Sequence, residues 1–528
     1  MSDEPKIDRI LIVGGGTAGW MTAAYLARRL GAMRPGGVQI TLIESSEIAI
    51  IGVGEGTFPT IQNTMRTIGV DEARFMREAG AAFKQGIKFV DWKTAPKDGV
   101  HSHYYHPFAY PRLLNGGLDL APYWLMGEAG NIPFSDAVAL QDKVCDGMRG
   151  PKRVEDPQYG GPMAYAYHFD AGKLANLLRD VGKATGVKHL LGNVLTVNKT
   201  EDGSIASVTT REHGDLTADL YIDCTGFAAA LIEKALGSRW IDDSDTLFVD
   251  RALAMQVPYE RPDTPIATTT ISTAHEAGWT WDIALPDRRG TGYVYSSAHT
   301  DDARAEDVLR AYIGPAAETL NPRLLKLRIG HREAPWIKNC VAIGLSGGFL
   351  EPLESTGIML IEAAVWMVGR LFPRGGDLEN TAKLFNHAMA ERYRGAADFI
   401  KLHYCISRRT DNDFWIDNCR RESIPDSLAA LLEMWRERAP DPFDFPTVHD
   451  SFESFNYQYI LYGMGYPTNV KANRAAYPYA EQATREFQRI RETSRRAAAG
   501  MPDHRALLSE VYQHGFRPPG GARGAVHG

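Results

Sequence analysis

Ile10-Leu-Ile-Val-Gly14-Gly-Gly16-Thr17-Ala18-Gly19-Trp20, continuing as Met21-Thr-Ala-Ala-Tyr-Leu26, is the stretch whose reading decides the fold. A β-branched apolar run, three glycines at G-x-G-x-x-G spacing and an Ala-rich segment read as strand, tight turn and helix. Gly14 permits the turn, Gly16 lets backbone approach a pyrophosphate, and Gly19 lets helix and strand pack closely. Phosphates would then meet free N–H groups at the positive end of the helix. A second strand closes in Thr41-Leu-Ile-Glu44, where the acid is placed to accept from a ribose hydroxyl. The fold class expected is α/β, with a Rossmann-type dinucleotide cradle at its start.

Composition bounds the rest. At 528 residues, 44% hydrophobic and 23% charged, the chain has the make-up of a globular protein with a large core. A net charge of −7 and only isolated arginine doublets argue against a nucleic-acid partner. The five cysteines, Cys145, Cys224, Cys340, Cys405 and Cys419, are scattered and lack C-x-x-C spacing, which excludes a disulfide framework or zinc knuckle and reads as reduced cytoplasmic thiols. No apolar leader precedes the first strand and no membrane-length apolar run occurs, so the expected compartment is the cytoplasm.

Along the chain, strands and helices alternate to about residue 95. Residues 98–161 then turn rich in Gly, Pro, His and aromatics, the pattern of a loop-heavy insertion. Val187–Val197 and Ile205–Thr210 read as antiparallel strands, and Asp219-Leu-Tyr-Ile-Asp223-Cys-Thr-Gly226 as a strand entering a second glycine turn. Cys340-Val-Ala-Ile-Gly344 makes a third. Three such turns are how a flavin-binding oxidoreductase wraps FAD, which sets the first domain at 1–378. Residues 379–515 are expected to form a mainly helical region over the substrate, with helices at 380–406, 427–438 and 481–499, and 516–528 a disordered tail. No second G-x-G-x-x-G is present to hold a nicotinamide dinucleotide, so reduced flavin is expected from a separate NADH-dependent reductase.

Four stretches are more specific. They are Ile51-Gly52-Val53-Gly54-Glu55-Gly-Thr-Phe-Pro59, Phe83-Lys84-Gln-Gly-Ile-Lys88-Phe-Val-Asp-Trp92, Gly278-Trp279-Thr-Trp281-Asp-Ile283-Ala284, and Phe349-Leu-Glu351-Pro352-Leu-Glu354-Ser355-Thr356-Gly357-Ile358. Together with the first turn they resemble the flavin-dependent halogenases of the tryptophan and indole type, over residues 7 to about 470. The resemblance implies an FAD-binding, monooxygenase-like fold. It also implies that reduced flavin, O2 and bromide or chloride give a flavin hydroperoxide and then hypohalous acid, which is confined and relayed to a lysine.

Carried onto this chain, the resemblance makes Lys84 that lysine, with a pKa depressed by enclosure among Phe83, Phe89 and tryptophans. Glu354 becomes the second catalytic residue, able to orient the oxidant or take the ring proton. Thr356 and Gly357 form the halide site; from the residues alone Ser-Thr-Gly reads as a helix N-cap. Trp279 and Trp281, alternating on one strand face, separate substrate from flavin. The flavin side comprises Gly14, Gly16, Thr17, Ala18, Gly19, Glu44, Gly52, Val53, Gly54, Glu55, Val194, Gly344 and Ile358. His101, His103 and His106 tempt a metal reading, but no Cys or carboxylate accompanies them at ligand spacing. The resemblance instead gives His106 and Phe108 to an aromatic substrate, stacked on a flat ring.

Asp441 to Phe455 lacks the Tyr-Tyr pair with which free-tryptophan halogenases clamp the amino acid, although Glu453 and Phe455 fit that clamp. Indole or an indole derivative is therefore the expected substrate. A flavin-dependent hydroxylase and a non-catalytic flavin-binding module are the alternatives; the first is disfavoured because no Gly-Asp follows the third glycine turn. A homodimer is the default oligomer.

Overall fold

The computed structural model describes residues 6–48, 54–114, 116–445 and 451–517. Strand Arg9–Val13 leads into helix Thr17–Arg29, as the opening stretch requires. That strand lies inside a six-stranded sheet ordered Trp336–Ile337, Cys340–Ala342, Leu220–Asp223, Arg9–Val13, Gln39–Glu44, Lys188–Leu191. All neighbours run parallel except the first pair. Parallel strands are buried on both faces: Ile10 and Ile12 join the main core, while Leu11 and Val13 pack with Ile205, Val208 and Tyr221 on the other side.

Because the strands are parallel, their C-terminal ends gather along one edge. Backbone bonds from Gly14 to Ile43, from Cys224 to Val13 and from Ile343 to Asp223 tie four strand ends together there. The three glycine turns are thereby brought side by side, with Gly14, Gly226 and Gly344 all at positive φ.

The stretch expected as one strand from 187 to 197 is two. Lys188–Leu191 extends the parallel sheet, and Val194–Lys199 pairs antiparallel with Ile205–Thr210. The break falls at Gly192, whose N–H bonds Glu44 O, so the chain leaves one sheet for the other within two residues.

A second, seven-stranded sheet runs Arg323–Lys326, Arg251–Pro258, Arg288–Tyr295, Gly278–Ala284, Thr270–His275, Gly86–Val90, His103–Pro107. The strand at its edge, His103–Pro107, comes from the loop-heavy stretch, which also forms short helices Ala121–Leu125, Phe134–Val138 and Gln141–Asp146. A small antiparallel sheet, Gly54–Gly56 and Ala82–Lys84 on either side of Ala166–Asp170, packs against the seven-stranded one. Residues 83–92 therefore change sheets at Gln85, whose N–H bonds Thr268 O.

Helix Thr356–Arg370 packs on the first helix, and Leu378–Cys405 crosses beneath it. Helix Asp426–Met434 is shorter than expected because Trp435 turns away, its indole N–H donating to Asp444 at 2.9 Å. Helices Ser454–Met464, Ala480–Gly500 and His504–His514 follow. The last one returns to the small sheet: His504 donates from Nδ1 to Ile266 O and accepts from Phe83 N–H at 3.2 Å on Nε2. Phe516 and Arg517, placed in the disordered tail by sequence, are held against Lys152 and Val154 O. Residues 518–528 lie outside the described residues.

Candidate active site

A cavity of about 990 Å³ opens along the C-terminal edge of the parallel sheet. Gly14, Gly16, Thr17 and Ala18 line it from the first turn, Glu44 and Val194 from the second strand and the segment beyond it, and Gly344 from the third turn. Gly54 and Glu55 close another side, with Gly357 and Ile358 opposite. Gly52 and Val53 lie outside the described residues.

Gly19 is not on the wall; it is what makes the wall possible. A Cβ there would collide with the carbonyl of Gly14, so helix and strand meet only because the side chain is missing. A Cβ on Gly16 would meet no protein atom within 4 Å and would project into open space at the helix N-terminus. Glu44 folds over Gly15 and meets His189 Nε2 at 2.8 Å. Burial, with Asp170 nearby, pushes the Glu55 carboxyl up to about 7. The volume, the open helix end and the acid beside it fit a flavin dinucleotide.

Lys84 ends the short strand Ala82–Lys84 and is fully buried. Its neighbours differ from those expected. Strand alternation turns Phe83 to the other side, against Tyr165, Tyr167 and His504, and Phe89 belongs to the other sheet, against Tyr104 and His403. The ammonium instead faces Phe108 at 5.2 Å and Phe58 at 5.9 Å, and Nζ donates to Ser355 Oγ at 2.8 Å. Burial pulls the Lys84 pKa down to about 7, against an upward pull from Glu354. Lys88, the other lysine of this stretch, is part-exposed and lies 3.9 Å from Asp146.

Ser355 links that amine to the cavity. It is the N-cap residue of helix Thr356–Arg370, but it sits in the left-handed region at φ 56°, ψ 34°, and its hydroxyl makes no capping bond. The N-cap expected from sequence is thus present in position and absent in chemistry. With the hydroxyl given to Lys84, the first N–H groups of the helix stay uncapped beside the cavity. Next to them the Thr356 hydroxyl is buried and has no hydrogen-bond partner among the described residues. Free amides and an unpartnered hydroxyl at a helix N-terminus suit a small anion.

Gly56 forms the partition. It lines the cavity, and a Cβ on it would stand 2.8 Å from Ser355 Oγ and 3.1 Å from Lys84 Nζ. With no side chain here, the hydroxyl and the amine can both lie close behind the cavity wall.

Glu354, fully buried, lies on the far side of Lys84's surroundings. His106 Nδ1 is 3.0 Å from both carboxylate oxygens and His403 Nε2 is 2.9 Å from Oε1. Burial alone would raise this carboxyl; the two imidazoles outweigh it and hold it down at about 2. Its neighbour Glu351 has no such pair, and burial pushes it up to about 8 beside Tyr404 OH at 2.5 Å.

Trp281 lies on the cavity wall with its ring over Gly292, where any Cβ would collide with it. Trp279, two residues earlier, is buried against Trp92 at 6.3 Å. His101 meets Asp91 at 2.6 Å, His103 stands at the strand's exposed end, and His106 bonds Glu354, so the three imidazoles have separate surroundings. Phe58, Phe108 and Phe452 pack in a row at 5.6 Å spacings, and Phe452 stacks on Phe399 at 3.8 Å. Glu453 accepts from Tyr110 OH at 2.8 Å and Phe455 packs on Tyr110 at 4.5 Å, which puts both at the rim, apart from Lys84.

Sequence reasoning missed Phe58, Gly56, His403, Phe452 and Asn456, whose Oδ1 lies 2.9 Å from His106 Nε2. Phe58 and Gly56 lie within a stretch that had been singled out. His403 sits in a long helix with nothing local to mark it.

A profile of the tryptophan halogenase family matches residues 9–479. The tryptophan 6-halogenase SttH of Streptomyces toxytricini is 37% identical, with 96% of this chain and 98% of that protein aligned. The crystal structure of a tryptophan halogenase from Shewanella frigidimarina superposes with a TM-score of 0.92 at 38% identity, covering 97% of this chain and 99% of that one. BrvH, a flavin-dependent halogenase from Brevundimonas sp. BAL3, superposes at 0.86 with 34% identity, covering 96% and 100%.

Proposed function

Since the chain belongs to the tryptophan halogenase family, we propose that it brominates or chlorinates an electron-rich aromatic ring, indole or an indole derivative, with Lys84 and Glu354 as its catalytic residues. When bound, reduced FAD with O2 and halide supplies the oxidant, a hypohalous acid. Gly16 and the first-turn amides would hold the pyrophosphate, Glu44 the ribose, and the uncapped N–H groups at Thr356 and Gly357 the halide.

The observation that carries this reading is the buried Lys84 amine joined by a single hydroxyl to the cavity wall. Near pH 7 much of it is neutral, with a lone pair free to accept a hydrogen bond from hypohalous acid or to take up its halogen. Ser355 aims Nζ, and Gly56, having no side chain, lets the amine lie close behind the cavity wall. Phe108 and Phe58 offer flat faces beside the amine, and the rings around them hinder escape of the oxidant to other nucleophiles. Trp281 keeps the aromatic substrate off the cavity. The Asp441–Phe455 stretch has no Tyr-Tyr pair to hold the charged groups of a free amino acid, which favours indole-type compounds over tryptophan itself.

The protein acts in the cytoplasm as a homodimer, supplied by a separate NADH-dependent flavin reductase. Among the described residues no helix is long and apolar enough to cross a membrane. The test is mass spectrometry of an indole panel incubated with the protein, a reductase, FAD, NADH and bromide or chloride. Halogenated product is expected, and Lys84→Ala should abolish it while peroxide release continues; hydroxylated product, or product undiminished in the variant, refutes the reading.

A further inference from the structure

The hydrogen bonds around Glu354 permit a count of protons. His403 Nδ1 lies 2.8 Å from the carbonyl oxygen of Phe399, which can only accept, so Nδ1 carries a hydrogen. Its other nitrogen faces Glu354 Oε1. His106 Nε2 lies 2.9 Å from Asn456 Oδ1; that amide is oriented by its own NH2, which donates to Glu453 O at 3.2 Å, so Nε2 carries a hydrogen too. Its other nitrogen faces both oxygens of Glu354. Each of the two contacts to the carboxylate also needs a proton between its atoms, which makes four protons on three side chains. A carboxylate, one imidazole and one imidazolium, with no net charge, hold three.

The uncharged trio is thus one proton short of a complete set of hydrogen bonds, and taking up one proton completes it at a charge of +1. We propose that the acceptor of the ring proton is the whole trio of Glu354, His106 and His403, and that His403 is a positioning residue acting through Glu354. This rests on the halogenation reading above. The ring carbon bonds halogen as the halogen–oxygen bond of hypohalous acid breaks, releasing hydroxide. The C–H bond then breaks, its electron pair restores the ring, and its proton enters the trio. Hydroxide takes that proton back as water and resets the trio.

Burial makes the arrangement consequential. All three side chains are at most 2% exposed, and His403 is packed against Phe89, Trp92 and Phe399 at 4.9, 6.1 and 5.2 Å. The other ionisable groups facing the trio are Lys84 and Tyr104 from two strands and Tyr459 from helix Ser454–Met464. Both tyrosines are held far above their usual range by burial and stay neutral. Held out of contact with bulk water, the trio has the ring as its nearest source of the missing proton during a turnover.

His403→Gln keeps a donor for Glu354 Oε1 but cannot titrate. With Gln there, a carboxylate and one imidazolium already satisfy both contacts to Glu354 and the one to Asn456 at zero charge, and no place is left for a further proton. Single-turnover halogenation of an indole should fall at least tenfold at pH 7 with the steady-state KM unchanged, and the loss of rate toward acid that a proton-accepting trio gives the wild type should be absent. In wild-type protein labelled with 15N-histidine, one buried imidazole pair should pass from three to four ring protons as pH falls; this needs no variant to fold. An unchanged rate and pH profile in His403→Gln, or 15N spectra showing single neutral tautomers throughout from pH 9 to 6, overturns the proposal. No halogenated product from wild type would overturn the functional reading itself, and is told apart because the spectra do not depend on turnover.

Discussion

Replacing Lys84 with Met removes the charge while keeping an unbranched apolar side chain of similar length. The ammonium is fully buried, and its pKa is lowered from 10.5 to about 7 by loss of solvent. At ~1.36 kcal/mol per unit, that difference makes the buried charge destabilising by about 5 kcal/mol. Between pH 7 and 10.5 the unfolded chain holds a proton here that the folded chain does not, so wild-type stability rises with pH through this window; below pH 7 both hold it and the penalty is complete. Methionine has no such dependence. Lys84→Met should therefore gain on the wild type at pH 6, and the gap should narrow by about 2.5 kcal/mol on going to pH 9. Urea unfolding of both proteins across that range measures it. A gap that stays constant within about 0.5 kcal/mol would mean that Lys84 titrates as a solvated lysine, and the argument for a neutral amine near pH 7 would fail.

Gly56→Ala should leave the protein folded, because the flexible Ser355 and Lys84 side chains can shift from the new methyl, yet cut halogenated product per flavin oxidised about tenfold or more, a barrier increase of about 1.4 kcal/mol. Gly16→Ala and Gly19→Ala should separate cleanly. The first leaves the melting temperature of the flavin-free protein unchanged and weakens FAD binding about tenfold or more, read by titration; the second lowers the melting temperature by several degrees, since its methyl strikes Gly14. Glu362, buried with Thr60 and Thr64 hydroxyls on its two oxygens, is raised from 4.5 to about 8 by burial. The folded chain keeps a proton there that the unfolded chain loses, so wild-type stability falls as pH rises from 5 to 8, and Glu362→Gln should gain about 3 kcal/mol over that range. No relative gain in its unfolding curves would contradict this.

The parts of the molecule legible from sequence are those whose cause is local. The first turn could be read because Gly14, Gly16 and Gly19 each answer a steric demand within ten residues. The second and third turns could be read because Asp223 and Ala342 end short apolar strands just before Gly226 and Gly344. Periodicity could not reveal that 187–197 divides at Gly192, since both halves are equally strand-like and only their partners differ. The same limit misplaced the surroundings of Lys84. Read as one strand, 83–92 encloses the lysine with Phe83 and Phe89, whereas the change of sheets at Gln85 gives it Phe58 and Phe108. His403 was illegible for a different reason: its role comes from Glu354, 49 residues earlier, and from Phe399 one helical turn away. Ser355 was visible as a helix start, but only three-dimensional structure shows its hydroxyl turned toward an amine 271 residues distant.

The bond between Phe83 and His504 joins positions 421 residues apart. During synthesis the lysine-bearing strand therefore lacks its His504 partner until residue 504 has emerged, and even the nucleotide cradle waits for Cys340–Ala342. A prematurely terminated chain would possess neither a finished flavin seat nor a closed reaction chamber. The flavin seat is thus complete in sequence before the cover over the lysine-bearing strand, and the last segment of the chain to emerge is the one that closes the site.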